Sequence, residues 1–170
     1  LGQATTFTYD QYNNMTSVTD PQGKTTRYAY DSAGNMIAMM DSSGNTTEYI
    51  YNSLNRLIKI IEPNGIITTY TYDANGNRTS VTDGNLNIFQ YIYNYKDQLT
   101  KVIDPLSDIT AYEYGGTGCS SCGGGGDKLT AIIDAQGNRT AFEYDLLGRL
   151  IKEADSLGKI ISYTYDSKSN

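Results

Sequence analysis

The sequence predicts an all-β fold: a continuous antiparallel β-meander of 21-residue, two-stranded repeats, forming an open-ended strip that twists or spirals. Three observations carry this. The composition holds 16 Tyr, no Trp and no His, together with many Thr, Gly and Asn, a mixture that favours strands and tight turns over helices. Aromatic residues recur in pairs, at Tyr9, Tyr30, Tyr51, Tyr72, Tyr93, Tyr114, Tyr144 and Tyr165 and two positions earlier at Phe7, Tyr28, Tyr49, Tyr70, Tyr91, Tyr112, Phe142 and Tyr163. The step between equivalent marks is 21 residues throughout, except for one of 30 between Tyr114 and Tyr144, which carries a nine-residue insertion.

The first strand of each repeat is the Thr-x-Tyr-x-Tyr run, as in Thr47 to Tyr51; its period-two alternation puts Thr and both rings on one face. A turn follows, opened by Asp10, Asp31, Asn52, Asp73, Asn94, Gly115, Asp145 or Asp166. The second strand is a run led by Leu or Met, such as "MIAMM" (36 to 40), "LIKII" (57 to 61) or "LTAII" (129 to 133). An acid then opens the next turn, at Asp20, Asp41, Glu62, Asp83, Asp104, Asp134 and Asp155, and the three prolines, Pro21, Pro63 and Pro105, each follow one of these acids. In these turns Asp accepts hydrogen bonds from amides two residues on, and Gly supplies positive φ. Both connections are too short for a crossover helix, so neighbouring strands run antiparallel.

An odd period adds a constraint. Side chains alternate strictly, so two turns of equal parity would throw the rings of successive repeats to opposite faces. One of the two turns per repeat is therefore expected to contain an extra residue, a glycine bulge of the three- or five-residue hairpin type. Equivalent tyrosines are then expected two strands apart, roughly 9 to 10 Å, with Val18, Met39, Ile60, Val81, Val102 and Ile132 filling the gaps. A ring row this long, if left open, would be a large exposed apolar patch, so a covering layer is expected over it.

The organisation follows: repeats over 1–114, a Gly/Cys-rich insertion over 115–127, and repeats again over 128–170, as a single array. The array begins eight residues before its first mark and stops five after its last, in mid-repeat at both ends. It is expected to be either part of a longer array or completed edge to edge by copies of itself.

Candidate sites are few. A net charge of −6 with scattered cations disfavours nucleic acid and anionic membrane surfaces, and no apolar run approaches the roughly 20 residues that span a bilayer. Cys119 and Cys122 are the only cysteines; with no His, a zinc site would need ligands from a second chain. A disulfide between them, stapling the loop in an oxidising compartment, is the first expectation, with a free thiol pair as the alternative. The turn acids offer one carboxylate each, where calcium collects six to eight oxygens, and are read as solvated Asx turns. "GGGG" (123 to 126) lacks the Lys-Ser/Thr of a phosphate loop. Without His, a nucleophile-base pair would have to come from Ser, Lys and acids at positions the repeat dictates, so no enzymatic activity, catalytic residue, metal or cofactor is expected.

The pattern x-Tyr-x-Tyr-Asp-x-x-Gly-x-Leu, followed by Asp-Pro-x-Gly-x-x-Thr, resembles the Rhs, or YD-repeat, family, matched by "YAYDSAGNM", "YTYDANGNR", "FEYDLLGRL" and "TDPQGKTTRY". The resemblance covers essentially the whole chain. It implies a β-sheet strip that winds into a hollow shell, as in bacterial ABC toxin complexes, Rhs effectors and teneurin barrels, in a secreted or surface-displayed bacterial protein. It implies as partners further repeats of the parent chain and encapsulated toxin cargo; an extracellular filament of stacked copies, or a glycan-binding module on the Tyr face, are the alternatives. Departures are Asn13, Asn55 and Asp97 at the turn glycine, Arg78 at the start of a second strand, and Gly115 for the turn acid. The family's self-cleaving aspartate motif belongs to a C-terminal core segment that is not matched; "DPQG" (20 to 23) is read as a repeat turn.

Overall fold

A computed structural model describes residues 4–115 and 128–166. Most of the insertion, including Cys119 and Cys122, lies outside the described residues. Within them are fifteen strands and no helix, in one open antiparallel sheet whose strand order is the sequence order. Two compact units divide the chain, Leu1–Ile88 and Phe89–Asn170. The first holds β1 (Thr6–Tyr9), β2 (Met15–Thr19), β3 (Thr25–Tyr30), β4 (Met36–Met40), β5 (Thr46–Tyr51), β6 (Leu57–Ile61), β7 (Ile67–Tyr72) and β8 (Arg78–Thr82). The second holds β9 (Ile88–Tyr93), β10 (Leu99–Ile103), β11 (Ile109–Tyr114), β12 (Leu129–Ile133), β13 (Arg139–Tyr144), β14 (Leu150–Ala154) and β15 (Ile160–Ser162). Odd-numbered strands are the Tyr strands and even-numbered ones the Leu/Met strands.

The two kinds of turn are built alike. At one rim the Asn52 amide donates to the Arg56 carbonyl (2.9 Å) and Asn55 to Asn52 (3.0 Å); at the other, Asp41 donates to Asn45 (2.9 Å) and Gly44 to Asp41 (3.1 Å). Each is a three-residue loop whose last member has positive φ. Equal turns should flip the rings from repeat to repeat, yet Tyr28, Tyr49 and Tyr70 share a face. The compensating residue sits in the strand. Tyr51 pairs with Leu57 but Ile50 with Lys59, so Ile58 is an unpaired bulge, and the same skip recurs between the other Tyr strands and their successors, as at Thr16, Ile37, Thr79, Thr130 and Ile151. The expected extra residue in a turn is thus corrected: both turns close as equal three-residue loops, and the second strand's second position takes the extra residue.

The register also staggers the sheet. Ile60 stands opposite Tyr49 on one side and Thr68 on the other, so the equivalent tyrosine, Tyr70, lies two residues further along its strand. Two residues are about 6.6 Å against about 9.6 Å for two strand spacings, so the ring row runs oblique, with neighbours roughly 12 Å apart rather than 9 to 10 Å. Rows perpendicular to the strands read Tyr, aliphatic, Thr: Tyr28, Met39, Thr47, then Tyr49, Ile60, Thr68.

Within each unit the sheet is one layer deep. Ala131 alone among the described residues is fully buried, beneath the ion pair that Arg139 and Glu113 (2.7 Å) make across β12. Within the chain, the internal stripe rings are half-buried against neighbours in the same face.

The turn after β8 has its glycine out of place. In Asp83 to Asn87 the glycine stands at the second position, and Leu86 takes the positive φ (67°) while 80% exposed. Gly84 cannot move: a Cβ there would run into Ile66 Cγ2. Leu86→Gly is expected to stabilise the chain by about 1 kcal/mol, because an L side chain in the left-handed region costs about 1 to 2. Gly84→Ala is expected to lower the melting temperature; thermal denaturation of both variants reads the two opposite signs.

Candidate functional site

The aromatic face holds two rows with different tasks. In the row of marks, the phenol hydroxyl is spent internally. Tyr30 donates to the Met15 carbonyl, Tyr51 to Met36, Tyr72 to Leu57, Tyr114 to Leu99, Tyr144 to Leu129 and Tyr165 to Leu150, at 2.6 to 3.0 Å. Each acceptor opens the second strand of the preceding repeat. The reason is the stagger. Pairing of β6 with β7 ends at Lys59 and Thr69, so Tyr72 stands beyond the ladder, opposite a carbonyl the ladder does not reach. The hydroxyl closes that gap and ties one repeat to the next.

The first row packs instead. Phe7 faces Val18, Tyr28 Met39, Tyr49 Ile60, Tyr70 Val81, Tyr91 Val102 and Tyr112 Ile132, while Phe142 faces Glu153. Of the three phenylalanines, Phe7 and Phe142 stand in this row and Phe89 stands two residues before Tyr91, at the position Thr holds in most repeats; none stands at a mark, where the hydroxyl is needed. That asymmetry was the sequence signal for the hydroxyl bonds, and reading all sixteen aromatics as one stripe passed over it. Tyr163 reaches Glu153 (3.4 Å), and Phe7 and Tyr9 are 51% and 59% exposed on β1. Arg78 faces Tyr72 across the strands and, among the described strand residues, is the only charged one on this face in the first unit, as Glu153 is in the second; Glu48, Lys59, Lys101 and Glu143 lie on the other face.

The turns that frame this face are cross-braced. Asp31 Oδ1 accepts the amides of Ala33 and Asn35 (both 2.9 Å), and Asp31 Oδ2 the Asn35 side chain (2.9 Å). Side-chain amides of this kind hold Asp10, Asp31, Asp41, Asp73, Asp83 and Asp134 below the ordinary aspartate pKa, and the Arg149 amide does so for Asp145. Every lone pair so used is one withdrawn from a metal, and no cluster of three ligating side chains occurs among the described residues. Asn52 makes the same main-chain bonds through its amide oxygen at 3.0 Å, without a charge. In the turns that follow the Tyr strands, a cation at the last position lies on the next repeat's mark: Arg56 over Tyr72 (5.2 Å), Lys128 over Tyr144 (5.8 Å) and Arg149 over Tyr165 (4.6 Å). Burial pushes the phenols of Tyr51, Tyr114 and Tyr144 up.

Tyr51→Phe is expected to cost about 1 kcal/mol, the loss of one hydrogen bond with its acceptor left unpaired, and Tyr49→Phe next to nothing; urea denaturation separates them. The turn carboxylates bind protons less readily folded than unfolded. Their contribution is therefore present above about pH 4 and lost as the pH falls through their lowered values. The phenols show the opposite sign, with stability lost as the pH rises through their raised values above about 10. A plot of melting temperature against pH should fall at both ends, and Asp→Asn changes at several turns should flatten the acid limb alone.

The teneurin YD-shell model matches residues 35–169, and the RHS Repeat model matches 1–25 and 13–46. No curated protein matches the chain. Among solved structures, the chain is similar to a TcdB2-TccC3 complex (14% identity, TM-score 0.72, 95% of this chain), to TcdB2-TccC3-Cdc42 (16%, 0.66, 98%) and to the Photorhabdus luminescens Tc holotoxin pore (16%, 0.64, 98%). The chain spans about 10% of the length of each of those chains, and at such identities the likeness is one of fold. With the repeat period, the shared ring face and a family match over most of its length, the chain belongs to the teneurin YD-shell family.

Proposed function

We propose that the chain is a non-enzymatic wall segment of a larger secreted or surface-displayed YD-shell protein, which encloses cargo as the resemblance to shell-forming repeats implies. One observation carries this: each described unit is a single-layered sheet in which the mark tyrosines bond repeat to repeat, a construction that extends a wall and encloses nothing by itself. The turn carboxylates, the candidates for acid-base work in a chain without His, are occupied by their own turn amides. The disulfide between Cys119 and Cys122 belongs to the same reading, since an exported wall works in an oxidising compartment.

The protein carrying this segment, purified from culture supernatant and imaged by negative-stain microscopy, should appear as hollow ovoids. Threads would support a filament instead, and solid compact particles, or retention inside the cell, would overturn the proposal.

A further inference from the structure

Three repeats show what fits the exposed side of a mark tyrosine. Arg56, Lys128 and Arg149 occupy one slot, the residue just before the second strand, and each lies over the mark of the following repeat. In front of Tyr30 and Tyr51 that slot holds Asn14 and Asn35. Their amides donate to their own turn carboxylates, Asn14 Nδ2 to Asp10 Oδ2 (3.0 Å) and Asn35 Nδ2 to Asp31 Oδ2 (2.9 Å), and Asn35 Nδ2 donates also to Asn55 Oδ1 of the turn after Tyr51 (2.9 Å). Tyr30 and Tyr51 make the same hydroxyl bond as the capped tyrosines and are half-buried, but no cation among the described residues covers them.

We propose that the rings of Tyr30 and Tyr51 are a pair of receptor positions for the guanidinium or ammonium groups of a basic segment of another polypeptide. The chain's own cations are the precedent for the fit. Asp31 acts on the Tyr51 phenol, so a carboxylate stands within electrostatic reach of the ring, and the net charge of −6 attracts a basic partner from a distance. Geometry sets the spacing. The two rings lie in the same unit, roughly 12 Å apart by strand spacing and stagger, which three to four residues of extended chain span. Arginines at the ends of a short extended stretch therefore reach both at once. Each slot adds about two- to fivefold in affinity, the range of an exposed cation and ring. This inference does not depend on the wall reading, since it concerns a side-chain slot rather than an assembly.

The test uses the chain with ring-labelled tyrosine, titrated in an NMR experiment with the capped pentapeptide Arg-Ser-Ser-Ser-Arg and with Glu-Ser-Ser-Ser-Glu. The arginine peptide should move the Tyr30 and Tyr51 signals saturably and the glutamate peptide should not. Asn14→Arg with Asn35→Arg fills both slots from within and should weaken binding about tenfold, two slots' worth. Arg56→Asn uncaps Tyr72, which offers the two-arginine peptide a second adjacent ring pair, Tyr51 with Tyr72, and should strengthen binding about twofold. Undiminished binding in the filled variant, or shifts spread evenly over all tyrosines, overturns the proposal. Should the filled variant fail to fold, Arg56→Asn decides alone: a gain supports the proposal and no gain overturns it.

Discussion

A strand side chain has two directions to choose from, and a repeat of 21 residues is an odd number of choices. Everything else in the sheet answers that parity. One residue in each repeat leaves the ladder so that the rings can stay on one side, and it does so at the second position of the Leu/Met strand, because the turns are already closed by their own hydrogen bonds. The price is a carbonyl beyond the reach of the next strand's amides. A phenol, long enough to reach over the gap and carrying one donor at its tip, fills it; a phenylalanine ring would pack there and leave the carbonyl without its donor.

The two faces divide the labour that follows. Charges gather on the face away from the rings, where Lys152 meets Glu143 (2.8 Å) and Arg139 meets Glu113 (2.7 Å), and at the rims. A ring face whose strand positions carry almost no charge lets aliphatic and aromatic neighbours shield one another. Thr8 with Ser17 and Thr71 with Ser80 add hydroxyl pairs between strands on the opposite side, at 2.7 and 2.6 Å.

Much of this was legible in the residues. Strand positions follow from period-two alternation around the Tyr pairs, and turns from the Asp-x-x-Gly pattern, even where Asn55 or Asp97 replaces the glycine. The rest depended on registry that no single residue announces. The bulge is occupied by Thr or Ile, both ordinary strand residues, so composition could not place it. Leu86 and Ser107 adopt positive φ because the flanking ladders dictate the loop, overriding what either residue prefers. The oblique course of the ring row was likewise invisible, since equal spacing along the chain fixes a period and leaves the lateral offset free. Of the candidate site, the rings were evident while the task of the hydroxyls was carried only by where Phe is absent.

The insertion departs from a rim turn and returns to it. Gly115 donates its amide to the Lys128 carbonyl (3.0 Å), and Tyr114 faces Leu129 as Tyr51 faces Leu57. The ladder thus resumes in step on the far side of the detour, as if nothing had been spliced in. Rim turns of this kind are natural grafting points: an added segment enters and exits through one closed hydrogen-bonded gate, and its length is invisible to the strands on either side.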